Sequence, residues 1–466
     1  MNLENINNVY FIGIGGIGMS ALARYFHAQG KFVAGYDKTP TTLTDELIDE
    51  GIEIHFADDV HSIPSALRHT EMMLYTTLVI YTPAVPSTHS ELNYFIENDF
   101  QVKKRSEVLG MITKTAYTIA VAGTHGKTTT SSMIAHILRS SGIDCTAFLG
   151  GISKNYHSNL LLSKDPSAKK IMVVEADEYD RSFLTLHPDV AVITSMDADH
   201  LDIYGDKKYL EESYRLFAQQ VKPGGKLIHK KGLPLNDLEV QQAEYALSGP
   251  CDYSASHIEI KDHQYHFNWD NSSTSIHDLS SGMPGLHNVE NAVAAIAAAK
   301  QLGITSEKIS AAIHSYTGVK RRFDYQVKTD SVVYIDDYAH HPEELRACIS
   351  SVRELYPGKM ITGIFQPHLY SRTRDFADGF AKSLSMLDSL ILLDIYPARE
   401  LPIPGITSEM LLEKVSLSDK MMCPKEEVLN ELAKRKIEVL LTLGAGDIDQ
   451  LVLPIKNQLE KKQHHV

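Results

Sequence analysis

One stretch constrains this chain more than any other: Gly123-Thr124-His125-Gly126-Lys127-Thr128-Thr129-Thr130. The apolar run Thr118 to Ala122 leads into it. A helical pattern with Met133, Ile134, Ile137 and Leu138 on one face leads out toward Gly142. Strand, glycine turn, Lys-Thr and helix is the layout of a phosphate-binding loop. Backbone N–H groups and a helix N-terminus converge there on an anion, which leaves little room for side chains. In this arrangement Lys127 reaches the β- and γ-phosphates of ATP and Thr128 offers its hydroxyl to Mg²⁺. Gly123, Thr124, His125, Gly126 and Thr129 form the cradle. The loop is a shortened variant, because Val121 stands where the strict pattern G-x-x-x-x-G-K-[ST] has its first glycine. A glycine turn capping an ordinary helix would also carry Gly-Lys-Thr. The buried strand before it and the amphipathic helix after it favour the phosphate loop.

A second glycine turn lies near the start. Val9-Tyr10-Phe11-Ile12 reads as a strand that runs straight into Gly13-Ile14-Gly15-Gly16-Ile17-Gly18. A helix follows with Met19, Leu22, Ala23 and Phe26 on one face and Gly30 as its stop. The next strand, Phe32 to Tyr36, ends at Asp37. A G-x-G-x-x-G turn with an acid at the end of the following strand is the dinucleotide fingerprint. Physically, Gly13, Gly15, Gly16 and Gly18 show that a backbone can approach a diphosphate closely. NAD, FAD and a nucleotide-diphosphate sugar all present that group. The strand at Leu78 ends in the stiff loop Thr82-Pro83-Ala84-Val85-Pro86, and a short strand near Val102 completes a small α/β domain. Its boundary falls between Gly110 and Thr115.

Beyond the central loop, Ile171-Met172-Val173-Val174 is a buried strand ending in Glu175-Ala176-Asp177-Glu178. A carboxylate at the tip of a strand beside a phosphate loop is the usual second half of a Mg–nucleotide site, since Mg²⁺ takes oxygen ligands. Glu175, the first residue past the apolar run, is the first choice. The strand Val190 to Ile193 empties into a loop with His200 among Asp197, Asp199 and Asp202, and His200 there is a candidate second-metal ligand. His287, Asn288 and Asn291 flank the start of an alanine-rich helix, Val289 to Leu302. A helix cap explains Asn288; a histidine beside amides also suits adenine. After the basic hinge Lys320-Arg321-Arg322, strands at Val332–Ile335, Met360–Phe365, Ser389–Leu393 and Val439–Leu443 alternate with helices. That alternation predicts a parallel sheet with right-handed crossovers. Its strand ends carry Asp336-Asp337-Tyr338-Ala339-His340-His341-Pro342, Gln366-Pro367-His368-Leu369-Tyr370-Ser371-Arg372, and Gly444-Ala445-Gly446-Asp447.

Composition bounds the partners. A length of 466 residues suits two to four domains. A net charge of −14, with no long basic run, argues against bulk attraction to nucleic acid or an anionic membrane. The four cysteines are scattered without C-x-x-C spacing and read as reduced thiols of a cytoplasmic protein. No apolar signal region and no run near membrane-spanning length is present.

Three domains with a diphosphate loop, a Mg–ATP loop and a His/Tyr/Arg cluster suit a reaction that joins two substrates at the expense of ATP. Phosphorylating a carboxylate gives an acyl phosphate, which an amine can attack. In this order the segments Gly13–Ser20, Gly123–Thr130, Glu175–Glu178, Asp197–His200, His287-Asn288, Gly318–Phe323, Asp336–Pro342, Phe365–His368 and Gly444–Asp447 resemble the Mur ligases of bacterial peptidoglycan synthesis.

The resemblance implies an α/β fold of three domains: a Rossmann-like UDP-binding domain (1–112), a P-loop ATPase-like domain (113–320) and a Rossmann-like C-terminal domain (321–466). It implies that the first loop, with Asp37, holds the UDP end of UDP-N-acetylmuramate. ATP would activate the lactyl carboxylate, and L-alanine would displace phosphate. Thr128 and Glu175 would hold one Mg²⁺, and Glu175 and His200 a second. His287, Asn288 and Asn291 would lie at adenine. Tyr338, His340, His368 and Arg372 would line the amino acid and the tetrahedral oxyanion, with Leu369 standing where many relatives carry arginine. A monomer or homodimer is expected. A recycling ligase that attaches a tripeptide to the same sugar nucleotide is the nearest alternative. An NAD(P)-dependent oxidoreductase would leave Lys127, Glu175 and His200 unused.

Overall fold

Short β-branched runs alternating with amphipathic stretches dictate the architecture: strands bury in parallel sheets and the stretches between become covering helices. The computed structural model describes residues 3–68, 71–165, 169–197, 204–280, 282–398 and 400–463. The chain forms two compact units. The first comprises Met1–Ala246, Pro250–Tyr253 and Val293–Ala312; the second comprises Leu247–Gly249, Ser254–Ala292 and Ile313–Val466.

The first unit contains a sheet of β1 (Asn8–Ile12), β2 (Phe32–Tyr36), β3 (Glu53–His55), β4 (Thr77–Tyr81) and β5 (Gln101–Lys104), in the order β3-β2-β1-β4-β5. All its pairings are parallel. Ile12 pairs with Tyr36 on one side and Tyr81 on the other, so three strands end level. The chain winds from β1 outward to β3 and then returns to β4 on the other side. The glycine loop after β1 opens at that reversal, where doubly wound sheets bind ligands.

The same unit holds β6 (Tyr117–Ala122), β7 (Thr146–Ser153), β8 (Ser158–Leu161), β9 (Ile171–Glu175), β10 (Val190–Ile193), β11 (Lys226–Lys230) and β12 (Gln242–Ala246). Their order is β12-β11-β10-β6-β9-β7-β8, parallel except for β8, which runs antiparallel to β7. The helix Lys127–Ser140 packs on this sheet. One apolar core joins the two sheets: Leu22 and Phe26 from the helix Ile17–Ala28 share it with Phe148 and Leu160. A polar pin runs through the junction. Asn159 is fully buried; its Nδ2 donates to Ile17 O (2.6 Å) and Ser20 Oγ (2.9 Å), and its Oδ1 accepts from Arg24 Nη1 (2.8 Å).

The second unit contains β13 (Tyr253–Lys261) from Ser254 on, β14 (Gln264–Asn271) and β15 (Ser275–Ser280), side by side, with β14 and β15 antiparallel. Tyr265, Phe267 and Trp269 are buried while the residues between them face outward. That period of two is readable in the sequence, yet the alternation alone does not say which sheet receives it. Its other sheet is β16 (Asp324–Lys328), β17 (Val333–Asp337), β18 (Ile361–Phe365), β19 (Ser389–Leu392), β20 (Lys420–Met422) and β21 (Val439–Leu443). The order is β16-β17-β21-β18-β19-β20. The four expected strands, β17, β18, β19 and β21, are parallel, β20 extends them in parallel, and β16, a strand the sequence reading did not include, runs antiparallel to β17. The segment after the basic hinge turns straight back on its neighbour, which requires no crossover helix. Among the described residues no helix is long and apolar enough to cross a membrane.

Because Asn159 satisfies three polar groups in a buried junction, Asn159→Leu should lower unfolding free energy by roughly 1–3 kcal/mol. Glu50→Gln, at the exposed end of the Arg24 cluster, should cost less than about 1 kcal/mol. Denaturant titration of both variants checks the contrast.

Candidate active site

Parallel register brings the ends of the central strands together. Val121 pairs with Glu175, and Ala122 with Ile193, so Gly123, Glu175 and Thr194 emerge on one sheet edge. Gly123 has φ +136°, and a Cβ there would lie 2.1 Å from Thr194 Oγ1. Only glycine fits that turn. Gly126 (φ +81°) starts the helix Lys127–Ser140 with no side chain capping it, so the helix N-terminus faces the loop. The loop is tied to the third strand end: Thr124 Oγ1 donates to Asp197 O (2.8 Å) and His125 N donates to Ser195 Oγ (2.8 Å). Thr128 and Thr129 are buried at the first turn.

Lys127 Nζ donates to Gly123 O (2.7 Å) and lies 2.9 and 2.8 Å from the two oxygens of Glu178. Burial works against its charge, but Glu178, Glu175 and Asp177 outweigh it and hold the ammonium above its ordinary pKa. The sequence singles out Glu175 as a metal ligand and does not say which acid meets the lysine; in the structure it is Glu178. The reason is local. Asp180 and Arg181 adopt left-handed φ of 52° and 55°, and the turn directs Glu178 inward while Asp180 pairs with Lys104 (2.7 Å).

Glu175 sits at the tip of β9 against Gly150, where an added Cβ would lie 2.3 Å from Glu175 Oε2. Space beside that carboxylate is thus kept by a glycine. Thr128 and Glu175 are hard oxygen donors on one sheet edge, which suits Mg²⁺. His200 lies outside the described residues.

The first glycine loop and Glu175 line one cavity of about 250 Å³, with Gly16, Gly18, Thr82, Arg105 and Phe148 among its walls. Asp37 does not point into open space: its Oδ2 accepts from Gly15 N (2.7 Å) and so braces the loop. Gly13 (φ +88°) approaches Thr82, where a Cβ would lie 2.6 Å from Cγ2. Arg105 is the residue that sequence reasoning does not find. It begins the helix after β5, lies against Gly18, and holds Asp177 at 3.2 Å. The basic run Lys103-Lys104-Arg105 was its one available signal.

In the second unit, Asp337 and Phe365 both pair with Leu443, so the loops after β17, β18 and β21 share an edge. There the His340 and His368 rings are 6.2 Å apart, and His368 stacks on Tyr396 at 5.8 Å. Arg372, buried, directs Nη1 to His368 Nδ1 at 3.4 Å. Arg321 and Arg322 lie 5.1 and 5.0 Å from the Tyr338 ring centre, a cation–π pair of contacts. Tyr338, His340, His368 and Arg372 thus fall in one cluster. Leu369 is buried with φ +69° and donates its N–H to Tyr396 O (2.9 Å). Asp337 accepts from Phe323 N (2.7 Å) and Ala339 N (2.8 Å), and burial pushes its carboxyl up to about 6.

The helix Leu286–Lys300 begins before Asn288, which therefore sits inside its first turn and is not its cap. Asn288 Nδ2 donates to Pro284 O (2.7 Å), and Asn291 Nδ2 donates to Asn288 Oδ1 (3.2 Å). Burial pushes His287 down to about 4, against the pull of Glu344, so its ring is neutral at physiological pH.

Three family models cover the chain: "Mur ligase family, catalytic domain" over residues 8–117, "Mur ligase middle domain" over 121–299, and "Mur ligase, glutamate ligase domain" over 321–448. A curated relative from Flavobacterium johnsoniae, UDP-N-acetylmuramate–L-alanine ligase, is 54% identical and is matched over 99% of this chain and 100% of its own. The solved structure of UDP-N-acetylmuramate–alanine ligase from Thermotoga maritima superposes with a TM-score of 0.80 at 26% identity, covering 98% of this chain and 100% of that one. A murein peptide ligase from Psychrobacter arcticus shares the fold, with a TM-score of 0.69 at 21% identity, covering 96% and 98%.

His287 carries a pH signature. Its folded pKa lies below the unfolded value of 6.5, so the unfolded chain binds more protons between the two. The stability contribution is complete above pH 6.5 and is lost as pH falls toward about 4. Over that window the wild type should lose on the order of 1–3 kcal/mol more than His287→Gln. Urea midpoints of both proteins at the two ends of the window measure it.

Proposed function

The chain belongs to the Mur ligase family, and on that premise we propose that it joins L-alanine to the lactyl carboxylate of UDP-N-acetylmuramate. ATP is consumed, and the products are UDP-N-acetylmuramoyl-L-alanine, ADP and phosphate. The observation that carries this reading is the shared cavity: the loop Gly16–Gly18 and the carboxylate of Glu175 line one space. A sugar nucleotide held by its diphosphate at the glycine loop then extends its carboxylate arm toward the sheet edge that bears Lys127. The activity named for the Flavobacterium johnsoniae relative, matched end to end, supports the same choice. The domains divide near residues 112 and 320, a division supported by the spans of the three family models.

In this reaction Gly123 to Thr129 cradle the phosphates of ATP with backbone N–H groups. Lys127 exchanges Glu178 for phosphate oxygens as nucleotide arrives, keeping its charge throughout. Thr128 and Glu175 would hold one Mg²⁺, and Glu175 with His200 a second. Mg²⁺ held there would supply neutralisation of the negative charge on phosphate oxygens. Arg105 faces the sugar nucleotide from the wall of the cavity, and Asp37 keeps its loop in shape. His287, neutral, with Asn288 and Asn291 lies at adenine. Tyr338, His340, His368 and Arg372 line the amino-acid site, where a guanidinium can bind the alanine carboxylate through two parallel hydrogen bonds. The setting is cytoplasmic.

The test is phosphate release from Mg–ATP with UDP-N-acetylmuramate and each amino acid in turn, with mass detection of product. Release that requires both the sugar nucleotide and L-alanine, with the matching amide mass, is expected. Release with the tripeptide but not alanine would assign the recycling reaction instead, and no release with any amine would end the ligase reading.

A further inference from the structure

Resting on that reading, we propose that Glu344 is a positioning residue for the amide-forming step: it fixes His340 in the neutral tautomer whose Nε2 accepts a proton from the ammonium group of the incoming amino acid. The placement of one carboxylate carries this. Glu344 is the third residue of the helix Pro342–Leu355, which His341 caps. A glutamate at that position ordinarily reaches back to the N–H of the cap residue. Here it reaches one residue further. Glu344 Oε2 accepts from His340 N (3.0 Å), and the same oxygen lies 3.2 Å from His340 Nδ1. Tyr338 O is 3.0 Å from that Nδ1 as well. Two acceptors face one ring nitrogen, so Nδ1 carries the hydrogen and the lone pair is on Nε2.

The surroundings are those of a built site rather than a solvated helix end. The Glu344 side chain is only 14% exposed, and Arg322 Nη1 stands 3.7 Å from its other oxygen. The His340 ring meets Tyr338 at 5.3 Å and His368 at 6.2 Å; around them Arg372 reaches His368, Arg322 lies over Tyr338, and Asp337, at the end of β17, feels the charges of Arg322 and Glu344. His287, from the helix Leu286–Lys300, also feels the Glu344 charge. Glu344 thus joins an arginine already placed over Tyr338 to the histidine of the amino-acid cluster.

The chemistry needs this base. L-alanine arrives as an ammonium ion with no lone pair. One N–H bond breaks and its proton passes to His340 Nε2. The freed lone pair forms the C–N bond to the acyl carbon, and the C–O bond to phosphate breaks with its electrons leaving on phosphate. The second amine proton departs with that group as hydrogen phosphate. The imidazolium so formed lies against the Glu344 carboxylate.

Glu344→Gln preserves shape and the backbone hydrogen bond but removes the charge. Its kcat/KM for L-alanine should fall by about 10²-fold, the lower end for general-base catalysis. The acid limb of that pH profile should move to lower pH, because an imidazole without its anion binds a proton less readily. Hydroxylamine, unprotonated at neutral pH, needs no base, so hydroxamate formation by the variant should stay at the wild-type rate. An unmoved acid limb, or equal losses with alanine and hydroxylamine, would reduce Glu344 to a helix-start contact and overturn the proposal. A wild-type protein that forms neither product would instead bring down the ligase reading together with this one.

Discussion

An ammonium group taken out of water must have an anion beside it, and the centre of this protein is arranged around that requirement. Lys127 is largely buried, its side chain 14% exposed, at the start of its helix and is held by Glu178, with Glu175 and Asp177 adding to the field. The pair can be displaced by one kind of ligand above others: a polyanion that satisfies the lysine at least as well as the glutamate does. A phosphate chain at a helix N-terminus meets that condition. The neighbouring features serve the same end. Gly123 lets the loop pass Thr194, Gly150 leaves room beside Glu175, and the parallel register of β6, β9 and β10 keeps their ends level.

That edge would bind nucleotide alone if the first sheet were elsewhere. The shared apolar core and the Asn159 pin lock the helix after the first glycine loop onto β7 and β8. As a result the wall of one cavity runs from Gly16 to Glu175. Holding the two proposed substrate sites in a single packed unit would convert encounter of two reactants into a positioned reaction. The cluster of Tyr338, His340, His368 and Arg372 belongs to the second unit and is assembled by the same device, level ends of parallel strands, with Arg322, Glu344 and His340 linked in series.

Local backbone geometry was legible in the sequence, and partner choice was not. The glycine loop before Lys127, the first glycine turn and the His/Tyr/Arg clusters are runs of adjacent residues, and the structure puts each at the end of a strand as their order suggests. The buried strands β1, β2, β4, β6, β9, β10, β17, β18, β19 and β21 follow from apolar runs of the right length, whereas mixed polar strands such as β3, β12 and β16 carry no such run. Which acid meets Lys127 depends on a turn at Asp180 and Arg181 that residue types do not announce. Arg105 acquires its place from Gly18 and Asp177, both far away in the chain. Asn288 reads as a cap because the preceding Pro-Gly-Leu-His looks like a loop, yet the helix begins within it. Glu344 looks like an ordinary first-turn acid until its second contact is seen.

The central claim is that ATP activates a carboxylate of the sugar nucleotide through a bond made and broken in this protein. The direct measurement uses UDP-N-acetylmuramate whose lactyl carboxylate carries a heavy oxygen isotope, with Mg–ATP and L-alanine, and follows the label by mass. The account predicts that one labelled oxygen from the carboxylate appears in the released phosphate while the other stays in the amide. Phosphate free of label alongside amide product would contradict the acyl phosphate and the roles derived from it.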